Sequence, residues 1–253
     1  MEKDDLGVPV AVPVRVRRVV SLVPSLTEAV AVTGRDLLVG VTDWCAHPAD
    51  LDVTRVRGTK NPNLELIRKL RPDVVLANFE ENREVDLQTL RGDGIPVWTT
   101  AVRGVDEALV SLHRMLTVAC RLPRPAWLDE AARAWRAPVA ARRRRAVVPI
   151  WRRPWMVVGH GTFTGDVLAR LGVDNIYADH PERYPKISLD RLVAARPDLV
   201  VLPDEPYRFT ATDGPECFPG IPSALVNGRH LTWYGPSLVE APVVLSAQLA
   251  AAS

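Results

Sequence analysis

The chain has 253 residues, 47% of them apolar and 25% charged, which supplies a sizeable core and excludes a disordered polymer. Lys and Arg total 32 against 30 for Asp and Glu, and a net charge of +2 excludes the strong field that binding to nucleic acid or to a membrane surface draws on. A small-molecule partner is expected.

Glu2, Asp4 and Asp5 stand where a secretion signal carries a basic head, and Pro9 and Pro13 break the apolar run at 8–14. No stretch approaches the roughly 20 apolar residues of a membrane span, so no membrane insertion is expected. With no lipidation cysteine behind a short apolar leader, a cytoplasmic location is expected. Cys45, Cys120 and Cys217 are odd in number and widely spaced, which predicts reduced thiols rather than a disulfide framework.

The run Val19-Val-Ser-Leu-Val-Pro-Ser-Leu-Thr-Glu-Ala-Val-Ala-Val-Thr-Gly34 reads as strand, tight turn and a helix stopped by glycine. Residues 38–41 form a further strand, followed by the loop Thr42-Asp-Trp-Cys-Ala-His-Pro48. Next, Asn63-Leu-Glu-Leu-Ile-Arg-Lys-Leu-Arg-Pro-Asp-Val-Val-Leu76 reads as a helix capped by Asn63, ended by Arg-Pro, then a buried strand. The polar loop Asn78-Phe-Glu-Glu-Asn-Arg83 comes after it. Residues 105–121 and 125–136 have helical periodicity, broken by Arg121-Leu-Pro-Arg-Pro125. Arg142 to Arg145 form a basic run without interleaved aromatics, so no nucleic-acid partner is expected.

Beyond the loop Trp151-Arg-Arg-Pro-Trp155, residues 156–172 repeat the pattern of strand, tight turn (Gly159-His-Gly-Thr162) and glycine-stopped helix. Ser188-Leu-Asp-Arg-Leu-Val-Ala-Ala-Arg-Pro-Asp-Leu-Val-Val201 then restates the 63–76 segment, 125 positions later, with Ser188 as the cap. It runs into Pro203-Asp-Glu-Pro-Tyr-Arg-Phe209, and Leu231-Thr-Trp-Tyr-Gly235 reads as a short strand entering a loop. Strand and helix units in two series predict an α/β fold: two Rossmann-like lobes with parallel sheets joined by a helical connector. The expected boundaries are 15–103 for the first lobe, 104–144 for the connector and 145–253 for the second lobe.

In open α/β sheets ligands sit beyond the carboxyl ends of the strands, so the loops that follow them hold the candidate ligand-binding residues. These are Trp44 and Cys45; Phe79, Glu80, Glu81, Asn82 and Arg83; Trp155 and His160; Glu205 and Tyr207; and Trp233 and Tyr234. Flat aromatics suit a macrocycle, while carboxylates, amides and guanidinium suit the polar rim of a chelate. His47 and His160 are the candidate metal ligands, and Tyr234 a candidate tyrosinate for ferric haem. The bland alternatives are core packing for Trp44, Cys45, Trp151, Trp155 and Tyr234, a surface position before a proline for His47, local hydrogen bonding for His160, and an exposed helix start for the 78–83 loop.

Ser-Leu-Val-Pro-Ser-Leu-Thr-Glu28, the 63–76 segment, Gly-Ile-Pro-Val97, Gly-Thr-Phe163 and Leu-Gly-Val-Asp-Asn175 resemble the helical-backbone (type III) substrate-binding proteins. The likeness spans nearly the whole chain, in a form without a visible signal peptide. It implies two lobes joined by a rigid helix, with a large metal chelate held in the cleft between them: cobalamin or a related corrinoid foremost, haem or a ferric siderophore otherwise. It also makes Glu65 and Asp190, at the same place in the repeated helix, candidates for docking a protein partner, either a transporter or a cofactor-using enzyme. Against this, both residues suit the first turn of a helix on electrostatic grounds alone.

No Gly-x-Ser-x-Gly, phosphate loop or His-Glu-x-x-His motif is present, so capture rather than catalysis is expected. The alternative is a cytoplasmic enzyme or a cofactor-handling or sensor protein on the same scaffold, drawing on Cys45, His47, His160, Glu80 and Glu81.

Overall fold

The computed structural model of the chain describes residues 1–136 and 143–252; Pro138 and Arg142, in the expected connector and basic run, lie outside the described residues. The chain divides into two compact units. One comprises Met1–Ala101, Ala108–Asp129 and Tyr234–Pro236, the other the described residues of Val102–Glu107, Glu130–Trp233 and Ser237–Ser253.

The first unit is built on β1 (Val19–Ser21), β2 (Leu38–Val41), β3 (Thr54–Arg55), β4 (Val74–Asn78) and β5 (Val97–Thr100), in the order β3-β2-β1-β4-β5 and parallel throughout. Its helices are α1 (Pro24–Gly34), α2 (Leu64–Leu70) and α3 (Glu84–Gly92). Parallel strands need crossovers, and the crossover helices cover the sheet, so β4 is buried at every residue. Val20, Val75, Ile67, Leu87, Leu90 and Val97 fill the core, and full burial of each such aliphatic stabilises the fold by about 1.5–3 kcal/mol. Two further helices, α4 (Val105–Arg114) and α5 (Ala126–Ala134), occupy the expected connector region, with a π-helical turn at Met115–Ala119 between them.

The outer edge of β5 is not left open. Thr99 donates its N–H to Asp4 Oδ2 at 3.3 Å, and its carbonyl accepts from the Asp5 N–H at 3.2 Å. Ala101 N–H donates to Asp5 Oδ2 at 3.2 Å, and Arg114 pairs with Asp5 Oδ1 at 2.6 Å.

The second unit is built on β6 (Arg144–Val147), β9 (Val173–Asn175), β10 (Leu199–Pro203) and β11 (Ser223–Val226), parallel in the order β9-β6-β10-β11. A small antiparallel hairpin, β7 (Pro149–Trp151) and β8 (Met156–Val157), stands between β6 and α6 (Phe163–Arg170) and packs beside β10. The other helices are α7 (Leu189–Ala194), α8 (Gly228–Thr232) and α9 (Ala241–Ala250). Val147, Val200, Leu202, Leu192, Phe209 and Phe218 form the core.

The repeated segment performs the same work in both units. Arg71 and Arg196 end their helices in left-handed backbone, at φ 45° and 48°. The aspartate two residues on then pins a neighbouring strand. Asp73 Oδ2 accepts from the backbone N–H of Arg17 and Arg18 at 2.7 and 2.9 Å, and Asp198 Oδ2 accepts from the Arg145 N–H at 2.9 Å.

Four sequence expectations are corrected. Residues 156–157 pair in the hairpin, and the sheet strand expected there is β6, drawn from the end of the arginine run. Gly172 stops α6 at φ 79°, but Gly34 has no left-handed turn; a Cβ there would sit 2.4 Å from Leu122 Cδ2, so that glycine makes room for packing. Ser188 holds the N-cap position of α7 without a side-chain bond, unlike Asn63, whose side chain accepts the Leu66 N–H at 3.1 Å. Leu231 and Thr232 are the end of α8 rather than a strand, because Asn227 caps that helix by accepting the His230 N–H.

Candidate functional site

At the carboxyl ends of the first unit's strands, two loops carry polar and aromatic side chains. The loop after β2 alternates: Trp44 is 68% exposed, while Cys45 is fully buried. The Cys45 thiol lies 3.0 Å from Thr27 Oγ1 and 3.1 Å from Thr42 Oγ1, and burial pushes its pKa up. The expectation that Cys45 meets a ligand is therefore corrected; it is an inert core thiol, and Trp44 is the side chain that faces outward. His47 is half-buried in the same loop.

The loop after β4 is organised by Asn78. Its Nδ2 donates to Thr100 O at 3.1 Å and Tyr234 Oη at 2.6 Å, while its Oδ1 accepts the N–H groups of Glu80 at 2.8 Å and Glu81 at 3.1 Å. That is an Asx turn at the end of a buried strand, and it presents Phe79, Glu80 and Glu81 as half-buried groups. Lys60 donates its ammonium to the Glu80 carbonyl. Asn82 is spent internally: Oδ1 accepts the Asn78 N–H at 2.9 Å and Nδ2 donates to Thr59 O at 3.0 Å. Arg83, exposed, holds Asp86 with two bonds of 2.8 Å at the start of α3. Both fit the helix-start alternative better than ligand contact.

Tyr234 is buried, and its hydroxyl also lies 3.1 Å from Thr100 Oγ1. Burial, and then the nearby charges of Glu81 and Glu80, drive its pKa up, so the expected tyrosinate ligand is corrected to a neutral structural phenol.

In the second unit the aromatics assemble around β7 and the loop after β10. Tyr207 meets Trp151 edge-on at 5.6 Å and Phe209 at 4.7 Å, and Trp155 stacks on Phe209 at 6.0 Å. Arg152 lies over the Trp155 ring at 5.3 Å, pairs with Asp213, and reaches Glu216 Oε1 at 2.8 Å. Tyr207 donates to Asp213 Oδ2 at 2.7 Å, closing the network. Trp151 keeps 43% of its surface exposed. Glu205 Oε2 accepts from Trp233 Nε1 at 3.1 Å, and Trp233 is buried.

His160 is exposed on the turn before α6. The glycine beside it is not the open anion cradle that the sequence suggests: a Cβ on Gly159 would lie 2.2 Å from the Glu182 carbonyl. Among the described residues, no three His, Cys, Asp or Glu side chains gather in a metal-binding cluster, and no helix is long and apolar enough to cross a membrane. The carboxylates at Glu65 and Asp190 are exposed in the first turns of α2 and α7, Glu65 paired with Lys69 at 3.3 Å.

Sequence reasoning missed Arg152 and Asp213 as organisers of the second unit's aromatic cluster, and Asn78 as organiser of the loop after β4 in the first unit. For Asn78 a signal was present, since an Asn closing an apolar strand before a polar run is a turn former.

Parallel sheets with aromatic and acidic groups on their strand-end loops define a ligand-binding α/β protein. The family described as periplasmic binding protein matches residues 19–213, and the chain belongs to it. Members of that family are binding proteins. Among curated relatives, the vitamin B12-binding protein of Pectobacterium carotovorum is 25% identical, over 94% of this chain and 90% of the relative. Among solved structures, the periplasmic vitamin B12 binding protein of Vibrio cholerae is similar at TM-score 0.74 and 19% identity, covering 94% of this chain and 98% of its own. A periplasmic heme binding protein from Pseudomonas aeruginosa gives TM-score 0.72 and 24% identity, covering 94% of each chain.

Proposed function

We propose that this protein captures a large metal-containing ligand, cobalamin or a related corrinoid foremost, with haem or a ferric siderophore as alternatives, and that it performs no catalysis. The observation that carries the reading is the exposed indole of Trp44 on one strand-end loop of the first unit, with Glu80 and Glu81 half-buried on another at the same ends of the parallel strands. An indole held out to solvent offers a flat apolar plate for a macrocycle, and carboxylates on the same strand ends receive the amide groups of its rim. The names of the curated relatives favour the corrinoid.

Purified protein titrated separately with cyanocobalamin, haemin and a ferric siderophore, followed by absorbance and calorimetry, decides the matter. Silence from all three at tens of micromolar rejects the proposal. Trp44→Ala should weaken capture roughly tenfold or more, and Glu81→Ala several-fold, while the melting temperature stays within about 1 °C for the exposed indole. Unchanged affinity in both variants would move the site elsewhere.

We propose further that Glu65 and Asp190 are contact points for a protein that takes over the ligand. Their support is their equivalent, exposed places on α2 and α7. Replacing both by Gln should abolish pull-down of a ligand-dependent partner while leaving ligand affinity alone; equal recovery by the variant rejects the assignment.

A further inference from the structure

Behind the loop after β10, α8 is fastened to the start of α9 by His230. The ring is buried, at 8% exposure. The His230 backbone N–H donates to Asn227 Oδ1 at 3.1 Å, which fixes that atom as the oxygen of the amide. Nδ1 of the ring lies 2.6 Å from the same oxygen, and Nε2 lies 2.9 Å from Glu240 Oε1. Both partners are acceptors, so each ring nitrogen must bring a proton, and only the imidazolium carries two. A neutral ring satisfies one partner and turns a lone pair toward the other.

Charged groups stand on α8 and on the elements around it among the described residues. On α8 itself, Arg229 lies 3.7 Å from Glu240. At the end of β10, Asp204 accepts the Gly228 N–H at 2.5 Å and Glu205 accepts from Trp233. On α6, which packs against α8, Asp166 and Arg170 pair with each other at 2.9 Å. On α9 the carboxylate is Glu240, held below the usual range first by its bond to His230, with burial opposing and the charges of His230 and Arg229 assisting.

Trp233, the residue that follows α8, holds Glu205, a candidate ligand-binding group of the second unit. We propose that the clasp of His230 with Asn227 and Glu240 is a proton-operated regulator of ligand affinity: protonated, it fixes α8 and the Trp233 that follows it; neutral, it loses one bond and loosens them. This rests on the function proposed above. The imidazolium makes both bonds and the neutral ring only one, so tight binding belongs to the acid side.

The test compares wild type with Glu240→Gln and His230→Gln, first without ligand. Between pH 5.5 and 8.5 the wild-type melting temperature should fall by about 2–4 °C more than that of either variant. An equal fall in all three proteins overturns the clasp. Nitrogen NMR of the His230 ring should show both nitrogens protonated at pH 5.5; a single neutral tautomer there overturns it as well. Cyanocobalamin affinity of the wild type should weaken by up to about tenfold at pH 8.5 and stay flat in Glu240→Gln. A flat wild-type profile overturns the regulatory role. If cyanocobalamin binds at neither pH, the corrinoid reading falls, and the melting and ring data still decide the clasp.

Discussion

Gly159→Ala is expected to destabilise the second unit by about 3 kcal/mol, among the largest effects of any single methyl added to this chain. The added carbon would lie 2.2 Å from the Glu182 carbonyl oxygen, 2.9 Å from Pro185 Cδ and 3.1 Å from the Arg183 carbonyl. Two of those three atoms are backbone, and the Gly159 N–H donates to Arg183 O at 2.7 Å, so the segment cannot retreat without losing that bond. Gly161, two residues on, is the control. Its φ of 58° penalises a side chain, but the nearest atom to a Cβ is Arg183 Nη1 at 3.6 Å, and Gly161→Ala should cost about 1 kcal/mol. Urea midpoints of the two variants separate the mechanisms; Gly159→Ala no costlier than Gly161→Ala would show that segment 182–185 yields.

Asn78→Ala should cost about 3–4 kcal/mol and weaken ligand capture at the same time. The side chain is buried at 3% exposure, and its removal takes the side-chain acceptor from the Glu80 and Glu81 N–H groups and one donor each from the Thr100 carbonyl, which keeps the Phe79 N–H, and the Tyr234 hydroxyl, which keeps Thr100 Oγ1. Leaving buried partners unsatisfied is costlier than the bonds themselves are stabilising. Tyr234→Phe removes one partner and should cost about 1–2 kcal/mol. The double variant should cost less than the sum, since the two groups share a bond of 2.6 Å. Strict additivity by chemical denaturation would show that the bond does not couple them.

The duplicated module is legible in the chain because its signals are local. Arg-Pro after a helical stripe ends α2 and α7, and a continuous apolar run marks strands covered on both faces. The loops at 42–47, 78–83 and 203–209 accordingly fall on strand ends, as expected from the sequence. Which side chain faces outward is a tertiary matter: Trp44 and Cys45 are adjacent, and only packing around Thr27 and Thr42 decides that the thiol turns in. The Asn78 to Tyr234 bond joins residues 156 positions apart, a distance at which periodicity is silent. Local propensity misleads at Leu231-Thr-Trp-Tyr234, whose β-formers yield to the cap at Asn227, and at β6, whose short apolar stretch hides behind arginines.

The acidic turn at Asp4 and Asp5 has a consequence for anyone handling the protein. By occupying the last strand's free amide and carbonyl groups, it works as a selvedge, the woven border that keeps cloth from fraying or joining its neighbour. A chain trimmed to begin beyond Val10 would expose a ready template for sheet-to-sheet polymerisation, and an affinity tag fused tightly at Met1 would strain the same hem.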